Sequence, residues 1–594
     1  MMFCMCKLKE VLLVCLAAAT LSAGCSSGGD TATSSAVAPT GPSLGVLLDA
    51  EVEGVRYVTP SRSGVTNAAG EFEYQAGEEV EFYLGELFLG RAPGQAVVDI
   101  FTLVGVSAPP QTLSGLRHAL DPGLETSATI GSAPEGESLG SIAGANVGGM
   151  NRALNIAILL QTLDDDMQAD NGIRIPAEVA AKFTPDLLWL DADYLSFRDN
   201  IALAHVLRSS ATEGLLEPRP VLKASLALAH AYASLNLNMQ TDVIVGFEVG
   251  GALTDVTYGH VARRNALGLV EMRTTNEGPN EINDTVWETT YDTNGETTLY
   301  QVARNVPVGG TADSYQRSEA TARDAFGQTL IKEYRDESGA VTGTDFFRYD
   351  DFGQPLLIEI TRNGTVRDRQ EWFLDESGRR IRMERNGEIF HVDELDQFNR
   401  WLSLRIDRDG DGTIEDLARR SFNERGQLVF DLRERTATGE LWFEERYTYN
   451  DMGQLVQSRI RDLRSGELDT VAMVYDAAGL LQTRSFDHGT DGEADGQYDY
   501  VWDAAGRIAE RNWDANSDGE YERRQTYTFD VDGRFQRVQV SAGDTINEIA
   551  ATYDESGRMT LLTLTDETGL VQAHERYTDW VSVHLPLAFD LGRP

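Results

Sequence analysis

The feature that most constrains this chain is a turn that recurs through its second half. The pattern is a bulky apolar residue, Asp or Asn, two variable residues, Gly, and then usually Arg or Gln. It reads Tyr349-Asp350-Asp351-Phe352-Gly353-Gln354, then Leu374-Asp375-Glu376-Ser377-Gly378-Arg379, and continues to Tyr553-Asp554-Glu555-Ser556-Gly557-Arg558. The Asp or Asn positions are 350, 375, 396, 423, 450, 476, 503, 530 and 554, at steps of 25, 21, 27, 27, 26, 27, 27 and 24. An earlier copy, Tyr291-Asp292-Thr293-Asn294-Gly295, opens the series. A period in this range marks an array of one supersecondary unit whose neighbours stack on each other. The turn chemistry is explicit: Asp or Asn hydrogen-bonds to the backbone two residues on, and Gly takes the positive-φ position. Aromatics alternate before the turns, as in Tyr447 and Tyr449, or Tyr498, Tyr500 and Trp502. Alternation puts them on one strand face, where stacked repeats align them as core.

Composition limits what such an array can serve. The chain has 594 residues and a net charge of −43. A surface this acidic repels phosphate backbones, which excludes general nucleic-acid binding. The hydrophobic fraction of 41% supports packed cores. The cysteines are Cys4, Cys6, Cys15 and Cys25, and none follows. That excludes disulfide frameworks, zinc fingers and a thiol nucleophile from the main body. No nucleophile elbow, P-loop, Rossmann glycine pattern or zincin helix occurs, so the expectation is a protein that is not an enzyme.

The N-terminus carries Lys7 and Lys9, an apolar run from Val11 to Ala19, and then Ser22-Ala23-Gly24-Cys25. This resembles the lipobox of bacterial lipoproteins. The resemblance implies a signal peptide over 1–24, cleavage before Cys25, and diacylation of that cysteine. Ser26 in place of Asp implies the outer membrane as destination. Residues 25–43 are a Ser/Gly/Thr-rich tether.

Between tether and array the pattern changes twice. Residues 44–103 alternate with period two between Gly turns, which predicts a small β-sandwich-like module. Residues 104–240 contain helical runs at 150–163, 197–207 and 221–235, which predicts a compact α domain. His205 and His230 lie in those runs, and the expectation for both is core packing. Asp164 to Asp170 follow the first run; they read as a solvated loop or as oxygen ligands for a cation at a helix C-terminus. Residues 241–284 read as a β lead-in, 285–577 as the array and 578–594 as a C-terminal cap.

Three loops inside the array share a further pattern, Asp-x-(Asp/Asn/Gly)-x-Asp-Gly-x-x-(Asp/Glu). They supply Asp407, Asp409, Asp411 and Glu415; Asp487, Asp491 and Asp495; and Asp514, Asn516, Asp518 and Glu522. Oxygen ligands at positions 1, 3, 5 and 9 with Gly at 6 match the front of an EF-hand loop, so Ca²⁺ is the expected cation. Position 12 holds Ala418, Tyr498 and Gln525 rather than a bidentate Glu, so affinity should be modest.

The Tyr-Asp-x-x-Gly-Arg turns resemble the YD repeats of Rhs proteins and teneurins, over roughly half the chain. The resemblance implies β-hairpins wound into a long spiralling sheet. With no toxin-sized segment after Trp580, the expectation is an open, elongated array in a mainly β chain. The functional expectation is a surface-anchored, non-enzymatic binding or adhesion lipoprotein. Its partners would be the membrane through Cys25 and a glycan or protein ligand, without nucleic acid. The alternative is a scaffold or shell component of an Rhs-like toxin or secretion system.

Overall fold

A computed structural model describes residues 42–120, 149–237 and 239–588, the last with short interruptions, mostly in its turns. Cys25, the signal segment, most of the tether and the turn after Tyr291 lie outside the described residues. The chain is mainly β, and no helix of the described residues is long and apolar enough to cross a membrane.

The array is closed, which corrects the open, elongated form expected from sequence. Twenty-six antiparallel strands follow in sequence order from Gln240–Gly250 to Val571–His584, and these two strands pair with each other. The closing register runs from Gln240↔His584 through Val243↔Val581 to Gly250↔His574. The expected lead-in therefore supplies the first barrel strands, and residues 578–584 of the expected cap are part of the closing strand. Closure removes both open edges, which would otherwise present unpaired N–H and C=O groups. Twenty-six strands spaced about 4.8 Å apart give a circular section about 40–50 Å across, depending on tilt. That is several times wider than side chains alone can fill.

An up-and-down order puts alternate turns on opposite rims. The repeated turns from Asp324 to Asp554 share one rim. In each, the Asp or Asn side chain accepts the N–H four residues on; at Asp350 both Phe352 and Gln354 donate at 2.9 Å. Gly353 sits at φ +73°, a conformation a β-carbon disfavours. The same bonds form at Asp324, with Phe326 and Gln328 as donors. That copy went unread in the sequence because Arg323 replaces the bulky apolar residue before it. The opposite rim carries tight Asn363-Gly364 and Asn386-Gly387 turns, the three acidic loops, and Asp-x-x-Gly turns at Asp336 and Asp566.

Neighbouring repeats are fastened in two ways. The aromatic before the turn donates to a backbone carbonyl of the previous repeat: Tyr349 to Thr329 (2.9 Å), Tyr449 to Leu428 (2.9 Å), Tyr475 to Leu455 (3.0 Å) and Trp502 to Leu481 (2.7 Å). The Gln or Arg after the turn donates to the glycine carbonyl of the next repeat: Gln328 to Gly353, Arg400 to Gly426, Gln427 to Gly453 and Gln454 to Gly479, all 2.8–2.9 Å. Where Arg takes that place it also lies over the next repeat's aromatic, as Arg400 over Phe422 (3.8 Å) and Arg507 over Phe529 (4.3 Å).

The N-terminal part differs from a separate sandwich beside a separate helical domain. Its strands form a three-stranded and a four-stranded sheet, and the helices share one continuous core with them. Phe72 and Phe82 of the sheets and Leu154, Leu159 and Tyr232 of the helices belong to it, all nearly inaccessible. The small module is too short to bury enough apolar surface alone, so the helices complete it. Leu585, just past the closing strand, returns to this core, and its N–H donates to Met239 (2.8 Å).

Candidate functional site: the two rims of the barrel

The turn rim is covered by the N-terminal unit. Arg208, on the helix Ile201–Thr212, pairs with Asp324 (3.1 Å) and donates to Gln328. His205 on the same helix stacks on Phe352 at 4.2 Å and 16°. Trp189 lies so close to Gly453 that a β-carbon there would collide with the indole. Phe398 packs against the N-terminal core. These contacts engage four of the repeated turns, so the cap spans much of the rim. His205 was expected to be a satisfied core residue; it is instead a contact between cap and barrel, and its buried Nδ1 has no hydrogen-bond partner.

His230 sits between Asp49, which is fully buried (Nδ1 at 3.4 Å), and Asp170 (Nε2 at 3.7 Å). Burial pushes the Asp49 carboxyl up from its ordinary value, and the bond to His230 opposes that shift. His230 and Asp170 border a cleft of about 420 Å³ beside Gln161 and Arg219.

The neighbouring Asp164–Asp166 carboxylates are within reach of one another. Their oxygens are engaged by the loop itself: Gln168 and Arg174 N–H groups donate to Asp164 at 2.9 Å, and Asn171 donates to Asp166 at 2.9 Å. A cation at this helix C-terminus is already supplied. The buried Arg219 guanidinium donates to the carbonyls of Asp164 and, at 3.1 Å, Asp165.

The acidic loops occupy the other rim. In the first, Asp407 is buried at the strand end and accepts from Gly410 (2.7 Å) and Gly412 (2.8 Å). Asp409 and Asp411 are exposed, and Glu415 accepts the Arg408 N–H (2.7 Å). Oxygens of Asp407, Asp409, Asp411 and Glu415 all lie within 4.8 Å of one another. Hydrogen bonds from Thr413 hold the Asp411 carboxyl below its ordinary value.

The other two loops repeat the frame. Asp495 accepts from the His488 N–H (2.5 Å), and Glu522 from the Ala515 N–H (2.6 Å). Asp514 accepts from Asp518 (3.2 Å) and Gly519 (2.8 Å), and the Asn516 amide donates to Asp518 (3.0 Å). Asp491 accepts from Glu493 (3.0 Å). Among the described residues, the close grouping of carboxylates at 407–415 is not matched at 487–495 or 514–522. Beside the second loop, Asp469 bonds the His488 imidazole (2.9 Å) and raises it from its ordinary value.

Against known proteins, no family model and no curated protein matches the chain. Several solved structures align locally. The Tc toxin assembly TcdB2-TccC3, without its hypervariable C-terminal region, is 12% identical over 52% of this chain and 21% of that one, with a TM-score of 0.22. The Photorhabdus luminescens Tc holotoxin pore is 12% identical over 59% and 23%, with a TM-score of 0.21. A porin-like protein from Bacteroides uniformis is 10% identical over 56% and 97%, with a TM-score of 0.14. This chain thus spans about a fifth of the length of the Tc toxin chains it aligns with.

Proposed function

We propose that this chain is a non-enzymatic scaffold that encloses space: a YD-repeat barrel closed on itself and capped at one rim by its N-terminal unit. Ring closure through Gln240–Gly250 and Val571–His584 carries the reading, because a section about 40–50 Å across leaves a lumen beyond what side chains fill. The strands suit water on both faces. Arg433-Glu434 and Arg523-Arg524 are strand neighbours that point to opposite sides. A barrel facing lipid would instead present an apolar outer band.

Cysteine labelling tests the enclosure, since the natural chain has no cysteine after Cys25. Gln536 and Arg537 are exposed neighbours on one barrel strand, pointing to opposite faces. With Cys4, Cys6, Cys15 and Cys25 all changed to Ser as background, Gln536→Cys and Arg537→Cys should both react with a small maleimide. Only one of them should react at a comparable rate with a maleimide on a large polymer. Equal rates at both positions would remove the enclosed lumen.

The scaffold is tethered, in this reading, by acyl chains on Cys25 at the outer membrane. Three acyl chains anchor firmly, at about 0.8 kcal/mol per buried methylene. A clickable palmitate should label the chain, and Cys25→Ser should abolish the label. The acidic rim loops take Ca²⁺ on the same reading.

A further inference from the structure

The clamp between neighbouring repeats is missing where Leu480 holds the turn position and, among the described residues, also after Gln354. Gln328, Gln427 and Gln454 each donate the side-chain amide to the glycine carbonyl of the next repeat. Gln354 stands at the same turn position, and among the described residues only its backbone N–H, not its amide, is hydrogen-bonded. The turns that follow are unevenly spaced, 25 residues from 350 to 375 and then 21 from 375 to 396. The shortened hairpin there, Arg380–Arg385 with Glu388–Leu395 around Asn386-Gly387, leaves the repeats out of step. A cavity of about 260 Å³ opens between them.

The walls of that cavity have a definite chemistry. Trp372 and Trp401 contribute indole rings, and Gln354 and Gln370 contribute primary amides that bond to no other side chain or carbonyl among the described residues. Three arginines also line it, each neutralised by its own carboxylate: Arg380 by Asp350 (3.0 Å), Arg400 by Asp396 (2.6 Å) and Arg420 by Asp431 (2.8 Å). Their guanidiniums lie over Trp372 (4.6 Å), Phe422 (3.8 Å) and Trp401 (4.0 Å), which holds the rings in place. The cavity is thus close to neutral, partly aromatic and lined by amides able both to donate and to accept.

We propose that this cavity binds one neutral pyranose ring, free or as the end of a glycan. Hydroxyls need groups that donate and accept side by side, which the two amides provide. The C–H face of a sugar ring suits the apolar indole surface. The paired arginines leave no net charge to select an anion, and about 260 Å³ admits one ring rather than a longer chain. The proposal does not depend on the scaffold reading.

Saturation-transfer NMR on the full chain tests it with glucose, galactose, mannose and N-acetylglucosamine, each free and as the end unit of a linear trisaccharide. At least one neutral sugar should show transfer, and glucuronate and sulfate should not compete. A stronger signal for the trisaccharide end unit marks a glycan as the source, and an equal one marks the free sugar. Gln354→Leu with Gln370→Leu should weaken binding at least tenfold at an unchanged melting temperature, since neither amide holds the fold. Absence of transfer from every neutral sugar overturns the proposal. So does transfer that survives in the double variant, or that glucuronate displaces.

Discussion

Replacing Asp350 by alanine should destabilise the barrel by about 3–5 kcal/mol, the usual cost of leaving one partner of a buried ion pair behind. Asp350 and Arg380 are both nearly inaccessible and pair at 3.0 Å. Arg380 also donates to the Pro355 carbonyl (2.9 Å), so it is held in place and cannot swing to water. Burial already pulls the guanidinium below its ordinary value. The other oxygen of Asp350 holds the turn through Phe352 and Gln354, at about 1 kcal/mol per bond.

Asp350→Asn separates the two roles, because Asn423 and Asn450 support the same turn in neighbouring repeats. The Asn variant should keep the turn and still lose most of the stability. Asp350→Asn with Arg380→Met should recover more than half of that loss, because the stranded charge is gone. Denaturant melts of the three variants check this. A loss of the same size in the double variant would place the cost in the turn rather than in the pair.

What the sequence displays and what it hides divide along local and distant interactions. The Asp-x-x-Gly turns are local chemistry, so their spacing announces every hairpin from 350 onward. Asp324 was hidden only because Arg323 replaces an aromatic. Closure depends on Gln240–Gly250 meeting Val571–His584, more than 300 residues away along the chain. No turn motif records a pairing of that kind. The closing strand itself alternates poorly, with Tyr577, Asp579 and Trp580 facing partners across a β-bulge at Gly246.

The tyrosine of the repeated motif was legible as a core aromatic. Its hydroxyl bond to the previous repeat was not, although Tyr at four of the nine spaced copies, against Phe at two, is the signal of that bond. Arg219 was invisible as a helix cap because it lies 55 residues beyond the carbonyl it covers. The missing clamp at Gln354 was hidden, because Gln354 is the same residue at the same turn position as Gln328, Gln427 and Gln454, which do form it.

Millimolar Ca²⁺ should raise the melting temperature of the full mature chain more than NaCl of equal ionic strength. The full chain is required, because a fragment starting at 285 would lack the strand that closes the ring. Carboxylates within 4.8 Å of one another at Asp407, Asp409, Asp411 and Glu415 repel in the absence of a cation. A cation that binds the folded state alone stabilises it by about 1.4 kcal/mol per loop at tenfold excess over Kd. The missing position-12 carboxylate sets Kd near about 10⁻⁴–10⁻³ M, as in extracellular modules.

The first loop should contribute most, since its four carboxylates are already gathered. Asp411→Asn alone should therefore remove a larger part of the Ca²⁺ shift than Asp491→Asn or Asp518→Asn, and the triple variant should remove nearly all of it. The pH dependence has a fixed sign. Thr413 holds the folded Asp411 carboxyl below its ordinary value, so its contribution is present above the unfolded value and is lost as pH falls through the folded one. The Ca²⁺ shift should fade in that acid range and stay flat above it. Equal shifts from Ca²⁺ and matched NaCl would make the loops ordinary acidic turns, with the barrel fastened by its clamps alone.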